Sequence, residues 1–348
     1  MNKRPLLYVA ASAALFGVSP PIAKVLVGEI PPVALAGLLY IGAFLGLFLF
    51  TIAGRALLHR ENPEARLASR DVPWLAGAIL TGGVLAPIAL MMGLALTSGF
   101  AASLLVNLEG VMTAIIAVIV FREFAGSRLW LAMSLMTIAG VFLSWNPSQG
   151  TIDPLGPLLI VFAMFCWGID NNLTRQISSK DPVRIAEVKG LIAGSTSLAI
   201  AVLLGSTIPT DASILFALLL GALSYGVSLV LFVKALDGLG SSRTAAFFSF
   251  GPFVGAVVSV LFLGDTMTGL IVLAAVLMFC GVLLVATERH AHTHRHEAMT
   301  HTHEHERDLH HEHEHPDGKD EPHVHEHVHP PIVHSHVHWP DREHRHEH

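Results

Sequence analysis

Charge is what this chain has least of. Of its 348 residues only 14% are Asp, Glu, Lys or Arg, while 52% are hydrophobic. Its two cysteines, Cys166 and Cys280, both sit inside apolar runs, which excludes a disulfide framework and says nothing of redox compartment. Histidine is missing from the first 289 residues except at His59, so that stretch has no set of imidazoles with which to build a metal site. No phosphate-binding glycine loop and no nucleophile with an adjacent base stands out, so an enzyme is not expected. With a formal net charge of −6, nucleic acid is not an expected partner either.

What the chain does have is apolar length. Runs of roughly 20 residues, enough to cross a hydrocarbon core of roughly 30 Å, recur from Leu6 to Ala286. The expected segments are Leu6 to Val27, Pro32 to Ala53, Val72 to Leu94, Ala101 to Phe121 and Leu129 to Trp145. A second set follows: Pro154 to Thr174, Ile185 to Leu204, Ala212 to Val233, Thr244 to Leu263 and Leu270 to Ala286. Lys24 interrupts the region where a signal peptide would be cleaved, so the first run reads as a retained helix.

With the N-terminus placed in the cytoplasm, the inner segments collect Lys3, Arg4, Arg55, Arg60, Arg66, Arg70, Arg122, Arg128, Arg175, Lys180, Arg184, Lys234, Arg243 and Arg289. The outer loops hold only Glu29, Asp153, Asp211 and Asp265 as charged residues. That asymmetry assigns both termini to the cytoplasmic side of an inner (plasma) membrane.

The two sets repeat each other. ALTSGFAASLLVNLEGVMTAIIAVIVFREF, from Ala95, aligns with ALDGLGSSRTAAFFSFGPFVGAVVSVLFLGDT, from Ala235, and FGVSPPIAK aligns with WGIDNNLTR, placing Gly17 on Gly168 and Lys24 on Arg175. An odd number of helices per half inverts the second copy, an arrangement common in secondary transporters, whose substrates bind between the halves. Gly42 with Gly46, and Gly251 with Gly255, have the spacing that lets helices approach closely.

The Gly17–Lys24 and Gly168–Arg175 elements, with Phe121-Arg122-Glu123 after the fourth helix, resemble the EamA branch of the drug/metabolite transporter superfamily. The resemblance covers roughly residues 5 to 287. It implies an all-α membrane protein of ten helices in two inverted five-helix EamA repeats, 1–146 and 147–287, moving a small molecule by ion coupling or exchange. One departure is Asn107-Leu108-Glu109-Gly110, where the family usually has a proline, which the second repeat keeps at Pro252.

Polar residues within the apolar runs are the candidates for transport. An ionised Glu109 in a bilayer costs at least ~2.5 kcal/mol, so it is expected to face inward, either as a coupling site or as a protonated cross-helix hydrogen-bond partner. Asp170, Asn171 and Asn172 point about 100° apart, so at least one should face a central cavity. Asp170 is expected to pair with Lys189, as a structural pair or as an inner gate. Asn107 lies near the same route. Lys24 and Arg175 read as snorkelling cations or as anion-capturing groups.

Residues 288–348 are expected to form a disordered cytoplasmic tail holding 21 of the 22 histidines. His301, His303, His305, His311, His313, His315, His323, His325, His327, His329, His334, His336 and His338 alternate with other residues and suit zinc, nickel, cobalt or copper. No cofactor is required. The leading expectation is a secondary transporter of a small polar metabolite in contact with membrane lipid. The alternatives are a divalent-metal or metal-regulated transporter served by the tail, and a membrane-anchored metal sensor or store. Self-association as a homodimer stays open.

Overall fold

The computed structural model describes residues 4–58, 67–121, 127–144, 154–264 and 268–286, with four tail segments, 290–295, 299–305, 323–329 and 333–338. Seven helices among these are long and apolar enough to cross a membrane, and three shorter ones, Trp130–Gly140, Gly251–Leu263 and Gly269–Leu284, are also apolar. Large apolar side chains are left on the outside: Leu203, Leu261 and Phe262 are all at least 70% exposed. Water would penalise such a surface, whereas acyl chains do not. This is a multi-pass integral membrane protein.

Proline and glycine decide where the helices break. The first span is split into α1 (Arg4–Gly17) and α2 (Ser19–Leu26), with Pro20 and Pro21 opening α2. After α3 (Pro32–Leu58), the next span runs α4 (Val72–Ala78), a π segment (Ile79–Leu85) and α5 (Ala86–Leu96). Pro87 lacks the N–H that Gly83 would accept from, and its ring crowds that carbonyl, so the preceding turn widens. The fourth span divides into α6 (Gly99–Leu105) and α7 (Leu108–Ile119) at Val106–Asn107, where Asn107 and Glu109 N–H groups bond three residues back. Glu109 therefore sits in the first turn of α7 and not mid-helix, where a carboxylate meets the positive end of the helix dipole.

The rest comprises α8 (Ser127–Ser144), α9 (Leu155–Arg175), α10 (Pro182–Leu203) and α11 (Ala212–Leu220). A second π segment (Gly221–Val227) leads into α12 (Ser228–Phe248), followed by α13 (Gly251–Val258), a third π segment (Ser259–Leu263) and α14 (Gly269–Ala286). Helical backbone continues across 234–243, where the sequence reading places a loop. No proline interrupts those residues.

Packing is closest where glycine removes a side chain. A Cβ on Gly17 would overlap the Gly251 backbone, and one on Gly255 would overlap Gly17, so α1 and α13 meet backbone to backbone. Gly42 and Gly46 likewise face Leu218 and Ala222. The serines of α1 and α12 exchange hydrogen bonds: Ser12 Oγ donates to the Ser228 carbonyl at 2.7 Å and Ser228 Oγ to that of Ser12 at 3.0 Å. Around this contact α9 packs on α5 and α7, α10 on α3, and α8 on α14.

Four tail segments are extended. His290–Arg295 pairs antiparallel with Val333–His338, and Met299–His305 with His323–His329. Alternation of histidine with Thr, Val or Glu has the period of a pleated strand.

Candidate functional site

Seven elements converge on one cavity within the helical part of the protein. Phe16 enters from α1, Tyr40 from α3 and Glu109 from α7, while α9 supplies Trp167, Asp170 and Asn171, and α10 supplies Lys189. Tyr225 of the second π segment and Ser228, Phe232 and Phe248 of α12 complete the wall. Chains of ring contacts make up much of the lining. Phe16 sits 5.4 Å from Trp167, 5.6 Å from Tyr225 and 5.3 Å from Phe248, and Tyr40 lies 5.5 Å from Tyr225.

The ionisable groups are not equivalent. Lys189 and Asp170 form a salt bridge in which both side chains are almost wholly buried, and Asp170 also accepts from the Thr174 hydroxyl at 2.9 Å. Asp170 has room because the facing residue is Gly82, where any Cβ would collide with its carboxylate. Glu109 accepts from Asn171 Nδ2 at 2.8 Å, and the same amide reaches Thr113 Oγ1 at 3.1 Å. No described cation lies within salt-bridge distance of Glu109. Two carboxylates and one ammonium therefore line the cavity, and Glu109 is the acid left over.

The first π segment supplies the remaining anchor. Its Gly82 carbonyl accepts from both Tyr40 Oη at 2.7 Å and Trp167 Nε1 at 3.0 Å, which orients two rings of the wall. The Tyr225 hydroxyl has no hydrogen-bond partner of standard geometry, although Ser19 is near enough to interact with it.

Some expected residues lie elsewhere. Asn172 does not line the cavity but ties α9 to α7, donating to the Thr113 carbonyl at 3.0 Å and the Gly168 carbonyl at 2.8 Å. Asn107 is buried at the α6–α7 break, with its amide 3.8 Å from Met278 Sδ. Lys24 Nζ donates to the Leu94 carbonyl at 2.7 Å, satisfying the C-terminal end of α5. Arg175 ends α9 and is not among the lining residues. In the tail, His311, His313 and His315 lie outside the described residues, and the other named histidines are strand residues.

The model of the EamA-like transporter family matches this chain twice, over residues 3–145 and 154–287. The chain belongs to the EamA-like transporter family. It is 26% identical over 291 residues to a protein of Methanothermobacter thermautotrophicus (strain Delta H) described as an uncharacterized transporter, covering 80% of this chain and 84% of that one. A protein of known crystal structure shares the fold with a TM-score of 0.60 at 18% identity, over 82% of this chain and 96% of its own. In this EamA-family membrane transporter the cavity draws Phe16, Tyr40 and Glu109 from the first matched stretch and its other lining residues from the second.

Sequence reasoning missed most of the aromatic wall. Single aromatics in apolar helices are usually packing, so Phe16, Tyr40, Trp167, Tyr225, Phe232 and Phe248 are not among the candidates drawn from the sequence. The available signal was Pro87, just beyond the π segment whose Gly82 carbonyl orients two of the rings.

Proposed function

We propose that this EamA-family protein is a secondary active transporter that moves a small polar metabolite across the inner membrane by alternating access, with Glu109 as the proton-coupling acid. One observation carries the reading: a buried acid with no described cation within salt-bridge distance lines a cavity whose other acid is paired with Lys189. An unpaired carboxylate in a membrane interior is costly when ionised, so its occupancy by a proton or by cargo is linked to the state of the cavity.

Two inverted five-helix repeats, ten spanning helices and cytoplasmic termini belong to the same proposal. Corresponding irregularities in the two halves support it. The break before α7 corresponds to the one before α13, and the π segment at 79–85 to that at 221–227, within two residues of the repeat offset. Asp170–Lys189 holds the inner part of α9 and α10 together in the closed arrangement, and Asn171 orients Glu109. Uptake by proteoliposomes under an imposed pH gradient, over a panel of amines, amino acids and sugars, tests the reading. Gradient-driven uptake of at least one metabolite, lost in Glu109→Gln, is expected; no flux above protein-free liposomes for any of them would overturn it.

For the tail, its density of histidine favours metal binding, and the backbone register sets histidine against histidine. His301 stands opposite His327, His303 opposite His325 and His305 opposite His323, with three more histidine pairs in the other ladder. Neutral imidazoles suit zinc, nickel, cobalt or copper, and the tail holds 21 of the chain's 22. The tail then serves as a metal-binding appendage to a metabolite transporter.

A further inference from the structure

We infer that the cargo is a small organic monocation, an amine or quaternary ammonium with an apolar body; the inference rests on the transport reading above and names the chemistry that the same cavity would select. Three independent features of the lining converge on it.

The first is charge balance. With every lining group ionised, Glu109 and Asp170 oppose Lys189 alone, so the cavity carries one negative charge in excess. An anion would add to that excess, and a neutral molecule would leave it buried. A monocation cancels it.

The second is the wall. Phe16 is the hub of a ring cluster that includes Trp167, Tyr225 and Phe248, with Phe232 edge-to-face with Phe248 at 4.9 Å and Tyr40 against Tyr225. Ring faces attract cations and accept the apolar groups around an alkylated nitrogen, whereas they cannot replace the hydration shell of a metal ion. Trp167 and Tyr40 are held in place by the Gly82 carbonyl, so this surface is set before cargo arrives.

The third is what hydrogen-bonding capacity is left over. The Asn171 NH2 donates to Glu109 and Thr113, and the Lys189 charge is paired with Asp170. The lining therefore has no uncommitted cation to receive a carboxylate, which argues against a zwitterionic amino acid. The Tyr225 hydroxyl is buried without a hydrogen bond of standard geometry, with Ser19 near enough to interact with it.

The proposal is tested by equilibrium binding and proteoliposome flux with the full-length chain, using three probes of similar shape: choline, its neutral isostere 3,3-dimethylbutan-1-ol, and zwitterionic betaine. Choline should bind at least tenfold more tightly than either of the others. Glu109→Gln should abolish that preference, and Phe16→Leu, which keeps the apolar volume, should weaken choline roughly 2- to 30-fold without affecting the alcohol. Equal binding of choline and the alcohol, tighter binding of betaine, or no choline binding overturns the inference. The two readings fail separately. Glu109-dependent, gradient-driven flux of a zwitterion or sugar would sink the monocation and leave the transporter standing. Selective choline binding with no flux of any probe would do the reverse.

Discussion

Removing one partner of the Asp170–Lys189 pair should damage the protein far more than removing both. Relative exposures of 6% and 2% for the two side chains leave neither charge any water. In Lys189→Met, Asp170 keeps only the Thr174 hydroxyl at 2.9 Å, and a stranded buried charge costs about 3–5 kcal/mol. Asp170→Asn strands the ammonium in the same way. The double variant carries no stranded charge and keeps nearly the same volume, so it should lie within about 1 kcal/mol of the wild type. At roughly 2–4 °C per kcal/mol, each single substitution should lower the melting temperature by roughly 6–20 °C, and the double by a few degrees at most. Thermal unfolding of the purified proteins, followed by monodispersity after heating, reads this directly. A double variant no more stable than the worse single would refute the pairing argument.

Gly17→Ala drives a methyl group into the Gly251 backbone, and overpacking of this kind costs about 1–3 kcal/mol, so heat-challenged material should aggregate earlier than wild type. Tyr40→Phe removes one of two donors to the Gly82 carbonyl and should cost only about 1 kcal/mol in the same assay, because Trp167 still satisfies that oxygen. Asp211 caps α11 by accepting from the Ser213 N–H at 2.9 Å, and hydrogen bonds from Ser213 hold its carboxyl below the usual range. A depressed carboxyl stabilises the fold above its unfolded value and loses that contribution as pH falls through the folded one. Asp211→Ala should therefore blunt acid destabilisation below about pH 4, as seen by intrinsic fluorescence. Nickel or zinc titrated into the full chain by calorimetry should bind at pH 7.5 and be largely released at pH 5.5, since only neutral imidazole ligates, with a midpoint near about 6.5. Truncation after Arg289 should remove that binding and leave flux through the helical part intact.

The apolar segments were readable because a bilayer leaves little choice of element, and the interior acids because charge in such segments is rare. That logic located Glu109, Asp170, Asn171 and Lys189, and the structure brings all four to one cavity. Depth along a helix, however, does not specify which way a side chain faces. Asn172 lies one residue from Asn171 but turns about 100° away, into the α7 contact. Lys24 and Arg175 are equivalent by repeat, yet Lys24 is used on the end of α5, a neighbour that no periodicity reveals. The aromatic wall escaped notice for a related reason: it is assembled from α1, α3, α9, the second π segment and α12, and each ring is unremarkable on its own helix. The helix break beside Glu109 persists without the proline found at Pro252 in the other half, so the missing proline was a poor guide to backbone shape.

The central claim is that Glu109 couples the cavity to the proton gradient, and flux measured in two modes on one set of proteoliposomes tests it most directly. For wild type, Glu109→Gln and Glu109→Asp, gradient-driven accumulation would be compared with gradient-free counterflow of the same cargo. The account predicts that Glu109→Gln loses accumulation, with any residual counterflow indifferent to pH, and that Glu109→Asp retains part of both. Accumulation by Glu109→Gln at the wild-type rate would contradict it.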